Sequence, residues 1–185
     1  HIALSQSDLD ILETLELDQT KSYYRDLFLI GVYSGQRFSD YKRFDRTFVD
    51  GNNIVIRAKK TGQFSYIPLS KKLKALLDKY DWDLHTISGQ KFNDHIHAIC
   101  KIAGFTELVN KDRFYGSKKV TERVPRWKLI ASHTARRTFI TLTEQKGVSH
   151  SLIMQVTGIK SLKTLQNYIR ADKDRLSDAI LKAWD

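Results

Sequence analysis

The sequence predicts a mainly α-helical fold carrying one small antiparallel β-sheet, an α+β architecture. Three observations predict it. Apolar residues recur at three- and four-residue spacing through most of the 185 residues. One window, residues 46–70, instead alternates apolar and polar side chains between turn signals. No Pro-, Gly- or Ser-rich linker interrupts the chain, so 1–185 is expected to be one domain.

Each element has its own justification. "LSQSDLDILETLEL" reads as a helix capped near Ser5 or Ser7. "KSYYRDLFLIGVYSG" is apolar nearly all round, a buried helix that Gly35 stops. In "RTFVDGNNIVIRAKKTGQFSYIPLS", "VDGNN" and "KKTGQ" are turns flanking two strands. "KKLKALLDKY" and "GQKFNDHIHAICKIAGF" return to helix, the second ended by Gly104. Residues 111–127 hold many Lys and Arg with Phe114, Tyr115, Val120 and Val124 between them, and fit either a basic hairpin or a loop. "SHTARRTFITL" is a helix with Ser132 at its N-cap. Helices at "SHSLIMQVTG", "SLKTLQNYIR" and "DKDRLSDAILKAW" follow.

Composition narrows the function. Lys and Arg number 31 against 21 Asp and Glu, a formal charge of +10, which points to an anionic partner, most commonly nucleic acid. The single cysteine, Cys100, lies in an apolar helical pattern and cannot form an internal disulfide, which fits a reducing, intracellular compartment. No apolar run approaches the roughly 20 residues that cross a bilayer, so no membrane partner is expected. The chain opens on His1 rather than Met and is expected to be a fragment of something longer. His95 and His97 are spaced for neither a helical metal pair nor a zinc finger, and HExxH, paired CxxC, P-loop, GxGxxG and GxSxG motifs are missing. No metal and no cofactor is expected.

What remains is a set of cations and a tyrosine. Arg37 follows Gly35 in "YSGQRFSD", with Asp40 three residues on as a ready partner. Lys59 and Lys60 sit at the hairpin turn. His133 and Arg136 share the face of one helical turn, with Arg137 beside them, and a helix N-terminus carrying two cations makes sense if a phosphate binds there. Tyr168 lies late, in "TLQNYIR". Spacing alone separates neither Lys59 from Lys60 nor Arg136 from Arg137.

Taken in order, "YSGQRFSD", "KKTG" with "YIPL", "HTARRTF" and "TGIKSLKTLQNYI" resemble the catalytic domain of the tyrosine recombinases, the phage-integrase family, over essentially the whole chain. The string "SHTARR", and "TGIKS" where "TGHKS" is familiar, look closest to integrases of Bacteroides-type mobile elements. The resemblance implies the tyrosine recombinase catalytic-domain fold and a DNA strand transferase that needs neither ATP nor metal. It implies Tyr168 as a nucleophile forming a 3′-phosphotyrosine, and Arg37 and Arg136 as the phosphate clamp. It further implies Lys60 as general acid toward the leaving 5′-oxygen, His133 as proton acceptor or phosphate ligand, and Asp40 as support for Arg37. Double-stranded DNA is the implied partner, bound by a homo-oligomer, the synaptic tetramer, in a bacterial cytoplasm. A separate N-terminal core-binding domain is expected outside the chain.

One position departs from the family. Where histidine or tryptophan is usual, this chain has Ile159, which cannot contact a phosphate oxygen. Losing such a donor costs roughly 10²- to 10³-fold in rate. Lys160 or His150 is the candidate substitute donor. Lys59, Arg137, Lys118, Lys119, Arg123, Arg126 and Lys128 are the expected DNA contacts, and the C-terminal helix carrying Leu176, Ile180, Leu181 and Trp184 is expected to dock on a protomer. Two other readings compete: a binding or regulatory module in which Ile159 marks a decayed site, and a type IB topoisomerase.

Overall fold

Ser5 starts the first helix of the computed structural model, which describes residues 2–85, 87–116 and 118–169. Its Oγ accepts the Asp8 N–H at 3.1 Å and the Asp8 carboxylate accepts the Ser5 N–H at 2.8 Å, a reciprocal cap. The helix, α1 (Gln6–Thr14), buries Leu9 and Leu12.

Helix α2 (Gln19–Ser34) is the centre of the molecule. Leu27, Phe28, Leu29, Ile30 and Val32 are all buried, so its second half is covered around most of its circumference, as the apolar run 27–33 requires. Asp18 caps its start. Gly35 ends it at φ 66°, its N–H donating to the Gly31 carbonyl at 3.1 Å. A Cβ at Gly35 would also lie 2.4 Å from the Phe139 ring, so glycine serves both the left-handed backbone and the close approach of a later helix.

A short turn of helix, α3 (Phe38–Tyr41), leads to a three-stranded antiparallel sheet of order β1-β2-β3, formed by Val49–Asp50, Asn53–Arg57 and Phe64–Pro68. Ile54 opposes Ile67 and Ile56 opposes Ser65 on the buried face, while Phe64 and Tyr66 are more than half exposed on the other. Helices α4 (Lys71–Lys79) and α5 (Gly89–Ile102), N-capped by Ser70 and Ser88, pack on α2.

Residues left open between hairpin and loop form a hairpin: β4 (Leu108–Tyr115) pairs antiparallel with β5 (Lys118–Pro125), a second sheet beyond the one the sequence showed. Its alternation is hard to read because Leu108 and Val120 are exposed and Val124 is buried, so little of the hairpin needs an apolar face.

Helix α6 (Ser132–Gln145) also packs on α2. The N-cap is Ala131, not Ser132 as expected. The Ala131 N–H donates to Thr134 Oγ1 at 3.0 Å, the N3 half of a capping box, and the Ser132 N–H donates to Asn93 Oδ1 at 2.9 Å, so neighbouring side chains satisfy the first N–H groups of the helix. Helix α7 (His150–Thr157) starts at the expected Ser149 cap and ends on Gly158 at φ 64°. Helix α8 is shorter than expected, Leu162–Gln166, so Tyr168 follows the helix rather than lying within it. The expected C-terminal helix lies outside the described residues.

Two cores result. The larger gathers α1 to α6 and the first sheet around Phe28, Ile30, Tyr41 and Phe92. The smaller contains Ile140, Ile153, Ile159 and Leu165, flanked by Phe139, Met154, Tyr168 and Ile169. Cys100 is buried in the larger.

Candidate active site

The five residues the sequence singled out as catalytic come from four places. Arg37 stands just past α2, Lys60 in the β2–β3 turn, His133 and Arg136 on the first turns of α6, and Tyr168 just past α8. The fold brings them to one cleft. Tyr168 Oη lies 3.2 Å from His133 Nε2. Arg37, Arg136, Arg137 and Lys60 all act electrostatically on the His133 ring.

Arg136 is the most unusual group. Its side chain is fully buried, and Nη1 donates to the Gly35 carbonyl at 3.0 Å. That carbonyl belongs to the glycine that ends α2, so the close α2–α6 contact also fixes the guanidinium. Nε and Nη2 of Arg136, and Nη1 of Arg37, are buried with no hydrogen-bond partner among the described residues. Burial first, then the charge of Arg37, lowers the Arg136 pKa to about 10. A buried guanidinium with unused donors beside a second guanidinium is unstable in itself. Planar forks arranged this way suit the non-bridging oxygens of one tetrahedral anion.

Asp40 holds the second arginine and the hairpin together. It is fully buried; Oδ1 accepts the Lys59 N–H at 2.8 Å and lies 3.4 Å from Arg43 Nη2, while Oδ2 lies 4.0 Å from Arg37 Nη1. Arg43 also donates to the Arg57 carbonyl at 3.0 Å. The turn itself is closed by Ala58 N–H to the Gln63 carbonyl and Gly62 N–H to the Ala58 carbonyl, both 2.8 Å. Lys59 is thus held by its backbone, whereas the charge of Lys60 reaches His133. This difference favours Lys60 over Lys59 for chemistry in the cleft. Arg43 and Gln36 were missed in the sequence. Gln36 is buried between Gly35 and Arg37 and donates to the Val156 carbonyl at 2.6 Å, tying the end of α7 to the arginine loop. Arg43, three residues past Asp40, had a signal in its spacing.

His133 stands at the open side of the cleft. Loss of solvation and the surrounding charges of Arg137, Arg136, Arg37 and Lys60 lower its pKa to about 4. The imidazole is therefore neutral at pH 7 and able to accept a proton from the Tyr168 hydroxyl.

Ile159 is buried in the smaller core beside Tyr168 and supports the tyrosine by packing. Lys160 and His150 are exposed and line a groove with Gln63, Phe64, Tyr66 and Ile159. The structure gives neither a contact to the cations of the cleft.

The expected DNA contacts fall into different settings. Arg137 lies over the Tyr168 ring. Arg126 is bound by Asp8 and Glu107, so it serves the fold rather than a phosphate. Lys119 pairs with Asp112 at 2.9 Å on the exposed hairpin. Lys128 and Lys101 lie over the Trp127 ring at 5.4 and 5.9 Å. Arg123 is exposed, and the Lys118 side chain is outside the described set. His95 stacks on Tyr24 and His97 packs edge-on to Trp127, and among the described residues no cluster of metal-binding side chains occurs.

Comparison with known proteins adds three likenesses. No family model matches the chain. A curated relative, tyrosine recombinase XerA of Saccharolobus solfataricus, is 27% identical over 135 residues, 73% of this chain and 40% of its own length. The chain thus spans about two fifths of the curated relative it matches. The XerH site-specific recombinase, in a post-cleavage complex with palindromic difH substrate, superposes with a TM-score of 0.70 at 19% identity, over 96% of this chain and 51% of that one. The crystal structure of XerA recombinase gives 0.69 at 16% identity, over 99% and 64%. The chain has the tyrosine recombinase catalytic-domain fold.

Proposed function

We propose that the chain is the catalytic domain of a site-specific DNA recombinase that cuts and rejoins strands through a 3′-phosphotyrosine. The observation that carries this reading is the cleft itself: three unused guanidinium donors of Arg37 and Arg136 beside a tyrosine hydroxyl 3.2 Å from a neutral histidine.

In this mechanism the two guanidinium groups hold the non-bridging oxygens of a backbone phosphate and stabilise charge that grows in the transition state. Tyr168 Oη attacks phosphorus as His133 Nε2 takes its proton. The bond to the 5′-oxygen breaks, and Lys60 gives that oxygen a proton. A 5′-hydroxyl from another strand then attacks the ester and releases the tyrosine. The ester keeps the bond energy, so no other energy source enters.

The partner in this reading is double-stranded DNA, for which the +10 charge is suited. The palindromic substrate of XerH offers paired half-sites, which supports a homo-oligomer acting on DNA. The string "SHTARR" favours an integrase of a Bacteroides-type mobile element. Among the described residues no helix is long and apolar enough to cross a membrane. Ile159 favours a second reading, a DNA-binding or regulatory module of the same fold with weakened catalysis.

Covalent trapping decides between them. The chain is incubated with thymidine 3′-(p-nitrophenyl phosphate), an activated diester that needs no target sequence, and with supercoiled plasmid. Release of nitrophenolate with a matching mass increase on the protein, both lost in Tyr168→Phe, is the expected result. Salt-sensitive DNA binding with no adduct on either substrate supports the binding module instead.

A further inference from the structure

Tyr168 lies beyond the last residue of α8, Gln166, so no helix fixes its side chain. A hydrogen bond at the tip of a phenol sets the position of its oxygen but leaves the ring free to turn about it. The ring borders the smaller core beside Ile159, and a further restraint comes from α6. The guanidinium carbon of Arg137 lies 5.8 Å from the centroid of the Tyr168 ring, within the range at which a cation and an aromatic face attract. His133, on the same helix, meets the hydroxyl at 3.2 Å, its ring 5.6 Å away and tilted by 52°. Two side chains four residues apart on one helix thus restrain the oxygen and the ring face together.

We infer that Arg137 is a positioning residue that holds the Tyr168 ring against α6 in the attitude needed for attack, rather than a contact to the DNA backbone. This rests on the reading of Tyr168 as nucleophile. The neighbouring Arg136 differs: it is buried against the Gly35 carbonyl and acts on Tyr168 from there, whereas Arg137 lies over the tyrosine ring. Attack geometry is sensitive to small displacements, so a ring that loses the restraint on its face should react more slowly while the substrate still binds.

The test compares Arg137→Gln and Arg137→Lys with the parent chain in three measurements. The first is affinity for random-sequence duplex across a salt series. The second is the rate of adduct formation with the activated thymidine diester, at saturation and at half-saturation. The third is the Tyr168 ring resonance in protein labelled with ¹³C-tyrosine, assigned through Tyr168→Phe. For Arg137→Gln the expected result is unchanged affinity and salt slope, an unchanged half-saturating concentration, and a saturated rate lower by about 3- to 30-fold. The Tyr168 resonance should move, and Arg137→Lys should recover part of the rate. A salt slope lower by about one makes Arg137 a phosphate contact and overturns the inference. An unchanged rate with an unmoved resonance overturns it as well. If the parent chain forms no adduct, the recombinase reading fails, and the ring resonance alone decides whether Arg137 places the tyrosine.

Discussion

At the scale of the residue, His133 shows how charge placement sets function. An imidazole in water would be half protonated near 6.5; here desolvation first, then four neighbouring cations, take it to about 4. A phosphate bound between Arg37 and Arg136 offsets part of that positive charge, so DNA should raise the value. A ring-proton NMR titration of the free chain is expected to give a midpoint near 4, and a higher one with duplex present. A midpoint near 6.5 in the free chain would mean that the cations do not surround the ring. The sign of the linkage follows. Between about 6.5 and 4 the unfolded chain binds a proton that the folded chain does not, so this group lowers stability as pH falls through that window.

At the scale of the element, the site depends on how helices and turns are tied to one another. The β2–β3 turn is anchored to the arginine loop by Asp40, and the start of β5's exit is anchored to α1 by Arg126. The Asp8 carboxyl is held below its ordinary range by its bonds to Arg126 and Ser5, against the opposing effect of burial. Arg126→Ala is expected to cost about 3 kcal/mol in a denaturant melt, because it leaves the Asp8 charge without its partner. An effect below about 0.5 kcal/mol would place the pair among ordinary surface ion pairs. This tie was not legible in the sequence, where Arg126 read as a DNA contact. Asp8 lies 118 residues away, and an ion pair of that reach leaves no local signature. The bond from Arg136 to Gly35, across 101 residues, was hidden for the same reason. Local features were legible: the shared face of His133 and Arg136, the Arg37–Asp40 spacing, and the glycine stops at Gly35 and Gly104. The β4–β5 hairpin was only half legible because few of its side chains are buried. The N-cap of α6 was misread because the cap is an alanine with no side-chain oxygen, and the helix start is held instead by Thr134 three residues on and by Asn93 from α5.

At the scale of the whole molecule, the excess positive charge is concentrated where it costs most. Placing Arg37 and Arg136 together trades stability for anion binding, and the trade is measurable. Sulfate or phosphate ions should raise the melting temperature of the parent chain by a few degrees beyond their effect on Arg136→Met. Arg136→Met should itself melt no lower than the parent in buffer without such anions, since an apolar side chain of similar size replaces an incompletely paired charge. Equal responses to the anions in both proteins would remove the clamp from the account. The division into two cores has a further consequence. Every candidate catalytic group except the tyrosine is mounted on elements of the larger core, whereas Tyr168 borders the smaller one, which among the described residues holds four buried side chains against twenty-four. Small clusters open at lower free energy than large ones. Amide exchange in α7 and α8 should therefore outpace that in α2, and the fraction of time the smaller core is closed should multiply directly into the observed rate of cleavage. The nucleophile, in effect, has a duty cycle of its own, set by Ile140, Ile153, Ile159 and Leu165, which touch no phosphate.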